Sequence, residues 1–165
     1  DLDTVASHLD RIGTLAGTGT LASEASASFR QQLQDLRTRY SRREPVRTFY
    51  QVWNRPLITA GGTELINDII SLCGGTNIFR ELSRVAPKVS VESVLSRDPQ
   101  IIVASGMDQE RPEWLDSWRD WRKLSAVRND KLFFIPPDLM QRHTPRALEG
   151  AQRLCAQIES VRETN

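Results

Sequence analysis

Histidine, cysteine and lysine are nearly missing from this chain, which holds two, two and three of them in 165 residues. With only His8 and His143 present, imidazole base chemistry has little to stand on, and no HExxH, CxxC, nucleophile elbow or Ser-His-Asp set is spelled out. A small α/β enzyme is therefore a less favoured reading, and no resident cofactor or metal is expected. No stretch approaches the roughly 18 uninterrupted apolar residues of a membrane span. The glycine pairs Gly61-Gly62 and Gly74-Gly75 lack the GxGxxG spacing and the lysine of a phosphate-binding loop, which argues against nucleotide binding. Arginine supplies 19 of the 22 basic residues, yet 21 carboxylates interleave with them for a net charge of +1, with no basic stripe or nucleic-acid motif. A nucleic-acid surface is not expected.

What the chain does have is ordered hydrophobic patterning. Its length fits one domain able to bury about two-thirds of the surface its unfolded form exposes. Leu2, Val5, Leu9, Ile12 and Leu15 fall on one helical face until Gly17-Thr18-Gly19 breaks the pattern. Ala22, Ala25, Phe29, Leu33, Leu36 and Tyr40 mark a second helix that ends in the basic, proline-marked stretch 41–45. The period then switches. β-branched and aromatic residues predict a strand over 47–53, Pro56 and Gly61-Gly62 a loop, and Leu65, Ile66, Ile69, Ile70, Leu72 and Cys73 a helix over 63–73. A short helix starting at Ser90, a strand over 100–104, a helix around 110–121 and a strand over 131–135 follow. A last helix is expected over 145–161, with Thr144 as N-cap and Pro145 in its first turn. Strands separated by helices at this spacing predict an α/β fold, a parallel sheet covered by helices on both faces. Such sheets hold ligands at the carboxyl ends of their strands, so the loops to watch are 54–62, 105–112 and 136–144.

Four words carry a resemblance: VWNRPLITAGG at 52–62, CGGTNIF at 73–79, VSVESVLSRDPQIIV at 89–103 and TPRALEGAQRLC at 144–155. Together they resemble the class III periplasmic substrate-binding proteins of the ABC importers for vitamin B12 and iron-siderophores, most closely the cobalamin-binding members. The resemblance covers roughly residue 47 to the end, and the preceding helices fit that family by position and pattern. It implies a helical region over 1–45, including a helix that spans two lobes, and a C-terminal α/β ligand-binding lobe over 46–165. The start Asp1-Leu2-Asp3-Thr4 leads straight into an amphipathic helix, so an N-terminal lobe and signal peptide are expected to lie outside the chain. The resemblance further implies a periplasmic location, binding rather than catalysis, cobalamin or a related corrinoid in an inter-lobe cleft, and delivery to an inner-membrane ABC permease without membrane insertion. A single lobe exposes half a cleft, a face through which the fragment would self-associate.

The same resemblance assigns residues. Cys73 and Cys155, which by themselves could be small buried hydrophobes, fall where cobalamin binders carry a disulfide. Val52, Ile58 and Ala86 occupy positions where those proteins have ligand-contacting aromatics, departures that favour the alternative cargo, a ferric siderophore or haem. Trp53 and Asn54 lie in a loop mixing aromatic, amide, guanidinium and apolar groups, a suitable fringe for a large apolar ligand. Trp53 could equally pack between sheet and helix, and strand alternation aims it away from Val52. Asp138 and Arg142 match positions that hydrogen-bond ligand, although two such residues in one loop could instead pair with each other. Glu92, in the first turn of a helix capped by Ser90, is explained locally by the helix dipole; the resemblance makes it the carboxylate that docks with permease arginines. Trp114, Trp118 and Trp121 predict one aromatic stripe turned to the sheet, and Phe133 and Phe134 belong to a buried strand. His143 is read as capping or solvated rather than as a ligand to cobalt or haem iron, and His8 as solvated.

Overall fold

The computed structural model describes residues 1–163. Its two N-terminal helices, α1 (Leu2–Leu15) and α2 (Gly19–Tyr40), pack against each other. Arg37 pairs with Asp3 and Arg30 with Asp10, each at 2.6 Å, across the two helices. Leu2, Val5, Phe29, Leu33 and Tyr40 are buried against the rest of the molecule, whereas Ile12 and Leu15 are 63% and 88% exposed. The apolar face expected on α1 thus finds partners only over its first half. At about 1.5 Å per residue, α2 spans roughly 33 Å.

The sheet is built around β1 (Val46–Asn54). One edge of β1 pairs parallel with β4 (Ile101–Ala104), from Thr48 opposite Ile101 to Gln51 opposite Ala104, and β5 (Leu132–Phe134) continues parallel to β4. The other edge is shared: β3 (Gly75–Asn77) pairs parallel with Val46–Thr48, and β2 (Leu57–Thr59) pairs antiparallel beyond Gln51. The loop expected over 54–62 is therefore in part a hairpin, turning at a cis Arg55–Pro56 bond. Three residues after a proline are too few to display alternation, which is why the sequence reads as loop there.

Alternation along β1 separates two cores. Tyr50, Ile101, Val103 and Ile135 face α1, α2, α3 (Leu65–Leu72), α6 (Pro137–Met140) and α7 (Ala147–Arg162). Phe49, Ile102, Ala104 and Leu132 face α4 (Val91–Arg97), a 3-10 helix (Glu113–Asp120) and α5 (Ser125–Arg128). The covered, mostly parallel α/β sheet expected from the sequence is present.

Three expectations need correction. The segment around 110–121 forms a 3-10 rather than an α-helix, so Trp114 and Trp118 stand about 120° apart instead of about 40°. The expected stripe splits: Trp118 is buried, Trp114 is half-buried and Trp121, past the helix end, is 44% exposed. Thr144 does not cap α7. Its own N–H turns back to the Arg142 carbonyl, its carbonyl receives the Ala147 N–H, and the helix begins at Ala147 with Arg146 in the cap position. The strand expected to be buried at Phe133 and Phe134 is the outermost of the sheet, paired only with β4, so both rings are half-buried.

Two devices hold the back of the lobe together. A disulfide joins Cys73, at the end of α3, to Cys155 in α7, with Cα atoms 4.6 Å apart and a sequence separation of 82. The Arg162 guanidinium then donates to the carbonyls of Glu44 (2.9 Å), Cys73 and Gly74 (both 3.1 Å), tying the end of α7 to the α2–β1 connection. Nearer the front, Gly62 donates to the Leu82 carbonyl at 2.9 Å, and a Cβ there would lie 1.9 Å from the Arg80 carbonyl oxygen. The glycine pair is thus a backbone seam that draws residues 80–88 alongside β2.

Replacing Cys73 and Cys155 with serine should lower unfolding free energy by about 4 kcal/mol on the loop-entropy account. Urea denaturation under oxidising conditions checks this, and unchanged stability would contradict the pairing. Gly62→Ala should cost about 1–3 kcal/mol by overpacking against the Arg80 carbonyl, read in the same denaturation assay.

Candidate functional site

The parallel ladder brings three segments to one end of the sheet. Ser105 N–H donates to the Gln51 carbonyl and Ile135 N–H to the Ala104 carbonyl, both at 3.0 Å, so the chain leaves β4 and β5 level with the end of β1. Loop 105–112, α6 with the turn after it, and the β1–β2 hairpin therefore all emerge together. Val89 N–H bonds the Leu57 carbonyl at 3.0 Å, which starts α4 beside the same hairpin.

Between loop 105–112 and the end of β1 lies a concavity of about 790 Å³, bounded by Trp53, Gly106, Met107, Arg111 and Trp114. That is within the range of small-molecule sites. Trp53 donates its indole N–H to the Arg55 carbonyl at 3.1 Å, and its ring meets Trp114 edge-on at 6.4 Å between centroids, inclined 66°. The pairing register shifts between Gln51 and Trp53, with Val52 at the irregularity. Val52 packs on the first core while Trp53 turns to the 3-10 helix, the opposite orientations expected from alternation. Trp53 packs on Trp114 and also borders the open concavity.

The other sequence candidates divide into two groups. Asn54 and Ile58 are half-buried in the hairpin, Ile58 opposite both Trp53 and Lys88, and Ala86 is exposed on the segment held beside β2. Across the sheet, Asp138 sits in the first turn of α6 and pairs with Arg146, not with Arg142. Its second carboxylate oxygen is buried without a hydrogen-bond partner. Arg142 and His143 are exposed, and the Arg142 guanidinium makes no ion pair among the described residues. Glu92 is exposed on α4; its own backbone N–H and then the Ser90 hydroxyl hold its carboxyl below the usual carboxylate range. Ser90 meanwhile caps the helix by accepting the Ser93 N–H at 3.2 Å.

Several residues here escaped sequence reasoning. Gln141 donates from its side chain to the Gly106 carbonyl at 3.3 Å, linking the α6 turn to loop 105–112. Beneath that link, the Tyr50 and Ser105 hydroxyls are buried and neither meets a hydrogen-bond partner. Burial pushes the Tyr50 hydroxyl well above the usual phenol range, and the nearby Ser105 and Gln141 side chains ease this in part. Arg111 grips Asp116 through two nitrogens at 2.7 and 2.8 Å, and Arg119 adds a third contact at 3.1 Å. Asp116 is accordingly lowered to about 2, chiefly by Arg111 and further by Arg119. Among the described residues, no group of three or more His, Cys, Asp or Glu is placed to hold a metal, and no helix is long and apolar enough to cross a membrane.

A concavity at the carboxyl ends of the strands, on a covered and mostly parallel sheet preceded by a long helix, has its counterpart in known proteins. Residues 2–139 match the periplasmic binding protein family, and the chain belongs to it. Vitamin B12-binding proteins are among its relatives: that of Vibrio cholerae is 35% identical over 159 residues, 96% of this chain and 56% of the relative, and that of Yersinia pestis is 36% identical over 160 residues, 97% and 55%. The chain thus spans a little over half the length of these relatives. The crystal structure of the periplasmic vitamin B12 binding protein BtuF of Vibrio cholerae superimposes with a TM-score of 0.87 at 34% identity, over 98% of this chain and 62% of that one. The periplasmic haem-binding protein BhuT shares the fold alone, at 13% identity and a TM-score of 0.81, over 98% of this chain and 63% of that one.

The lowered pKa of Asp116 gives a signed expectation. Stability from the Arg111–Asp116–Arg119 group is fully present above the unfolded carboxylate pKa near 3.9 and is lost as pH falls towards about 2. Solvent screening of these half-exposed side chains keeps the contribution small. The stability gap between the native chain and Asp116→Asn should narrow as pH drops from 6 to 2.5 in chemical denaturation; a constant gap would contradict the assignment.

Proposed function

We propose that this chain is the C-terminal ligand-binding lobe, with its lobe-connecting helix, of the periplasmic substrate-binding component of an ABC importer, and that the cargo is cobalamin or a related corrinoid. The observation carrying this reading is the identity to vitamin B12-binding proteins across nearly the whole chain. Residues 46–165 supply the lobe and residues 1–45 the helices on its connecting side, with α2 as a rigid strut that sets the cleft width. The Cys73–Cys155 disulfide supports an oxidising compartment such as the periplasm.

The cargo end works by placement, not by chemistry. Trp53, Asn54 and Ile58 give the hairpin an apolar edge with one amide. Arg142 keeps its donors for corrin amides or the nucleotide phosphate, and the unpartnered oxygen of Asp138 is an acceptor for an amide N–H. Glu92, ionised and exposed beside the same end, is the contact for permease arginines, a charge-assisted and salt-sensitive encounter. A ferric siderophore or haem is the second reading, favoured by Val52, Ile58 and Ala86 standing at positions that are aromatic in cobalamin binders.

Calorimetric titration of the two-lobed protein with cyanocobalamin, against a ferric hydroxamate and haem, tests the cargo. Saturable cobalamin binding, weakened about tenfold (~1.4 kcal/mol) by Arg142→Ala, is expected. Binding to an iron complex alone would overturn the cargo while leaving the family assignment standing. Glu92→Ala should leave cargo affinity unchanged and weaken capture by permease-containing membranes; equal capture would remove the docking role.

A further inference from the structure

We infer that the apolar cargo contact of this chain is the wall formed by Trp53, Trp114 and Met107, and that the carboxylates around it admit uncharged or cationic ligands while excluding polyanionic ones. This rests on the reading that this end of the sheet faces a cargo, and it names residues and a ligand class beyond that reading. The positions that would carry aromatics offer little surface: Val52 packs on the first core, Ile58 is half-buried between Trp53 and Lys88, and Ala86 has only a methyl group. The concavity next to them has what they lack.

Trp53 cannot swing freely, because its indole N–H is tied to the Arg55 carbonyl. Trp114 abuts it edge-on, and its helix is fixed from behind by the Trp118 indole bonded to Gln51 at 2.6 Å. Two flat rings are thus held beside an opening of about 790 Å³. Met107, 73% exposed on the facing loop, adds a flexible thioether that adapts to an irregular apolar surface.

The charges in the lining are lopsided. Asp108, Glu110 and Glu113 line the concavity, are exposed and make no ion pair among the described residues. Arg111 is the single guanidinium in the lining, and both its terminal nitrogens are committed to Asp116. Arg55 and Arg142 lie outside it. Within the roughly 8 Å screening length at physiological salt, three free carboxylates repel a polyanion and tolerate a neutral or cationic ligand. An uncharged corrin or a cationic ferric trihydroxamate fits this lining, whereas ferric citrate or a ferric tris-catecholate does not.

The test titrates the two-lobed protein with cyanocobalamin, a cationic ferric trihydroxamate and ferric citrate. Trp114→Ala should weaken whichever ligand the parent binds by about tenfold, Met107→Ser by about threefold, and the distant Trp121→Ala by less than about twofold. Met107 is exposed enough that its variant reports even where Trp114→Ala fails to fold. The pair Glu110→Lys and Glu113→Lys should raise ferric citrate affinity severalfold without improving the uncharged ligand. Unchanged binding in the Trp114 and Met107 variants of a parent that binds cobalamin would overturn the wall and leave the proposed function intact. Ferric citrate as the parent's best ligand would overturn the charge selection, and a parent that binds none of the three would overturn both readings.

Discussion

The hydrogen bond from the Trp118 indole to the Gln51 side-chain carbonyl, 2.6 Å long and buried, fixes the site end of this molecule. It locks the 3-10 helix onto β1 at the point where the strand gives way to the hairpin. Phe49 reinforces the joint by packing edge-on against Trp118 at 5.7 Å. Losing either partner would strand a buried polar group at a cost of about 1–3 kcal/mol and would release Trp114 from Trp53. The Trp53–Trp114 corner thus depends on an interaction hidden beneath it.

Behind that corner the lobe is cross-tied. Asp98, in a left-handed conformation at the end of α4, accepts from the Ser125 N–H (2.8 Å) and hydroxyl (2.7 Å) and pairs with Arg47 at 3.3 Å. The disulfide and the Arg162 clamp do the same on the opposite face. The front, in contrast, carries loops with exposed polar side chains, among them Gln141, which links the α6 turn to Gly106. The cross-tied back gives the loop-bearing end a pre-ordered scaffold, which leaves less entropy to lose when anything binds there.

The long apolar-periodic elements were legible in the sequence: β1, α3, α4, β4, β5 and α7 all lie within a few residues of where periodicity puts them. Features set by tertiary contact were not. Leu57–Thr59 became a strand because β1 had a free edge beyond Gln51. The 110–121 segment tightened to a 3-10 helix, redirecting Trp114 away from Trp118 and towards Trp53. Local spacing suggested an Asp138–Arg142 pair, whereas the chain reversal before α7 delivers Arg146 to Asp138 and leaves Arg142 free. The three segments expected at the carboxyl ends of the strands do emerge together at one end of the sheet, but their internal wiring could not be read from a linear pattern.

Hydrogen–deuterium exchange of the two-lobed protein, with and without saturating cyanocobalamin, tests the central claim most directly. Ligand should protect backbone amides in 53–58, 105–114 and 138–143, and leave unchanged the second concavity beside Leu95, Trp121 and Lys123 at the opposite end of the sheet. Protection centred on that second concavity, or none at the carboxyl ends of β1, β4 and β5 despite bound ligand, would contradict it.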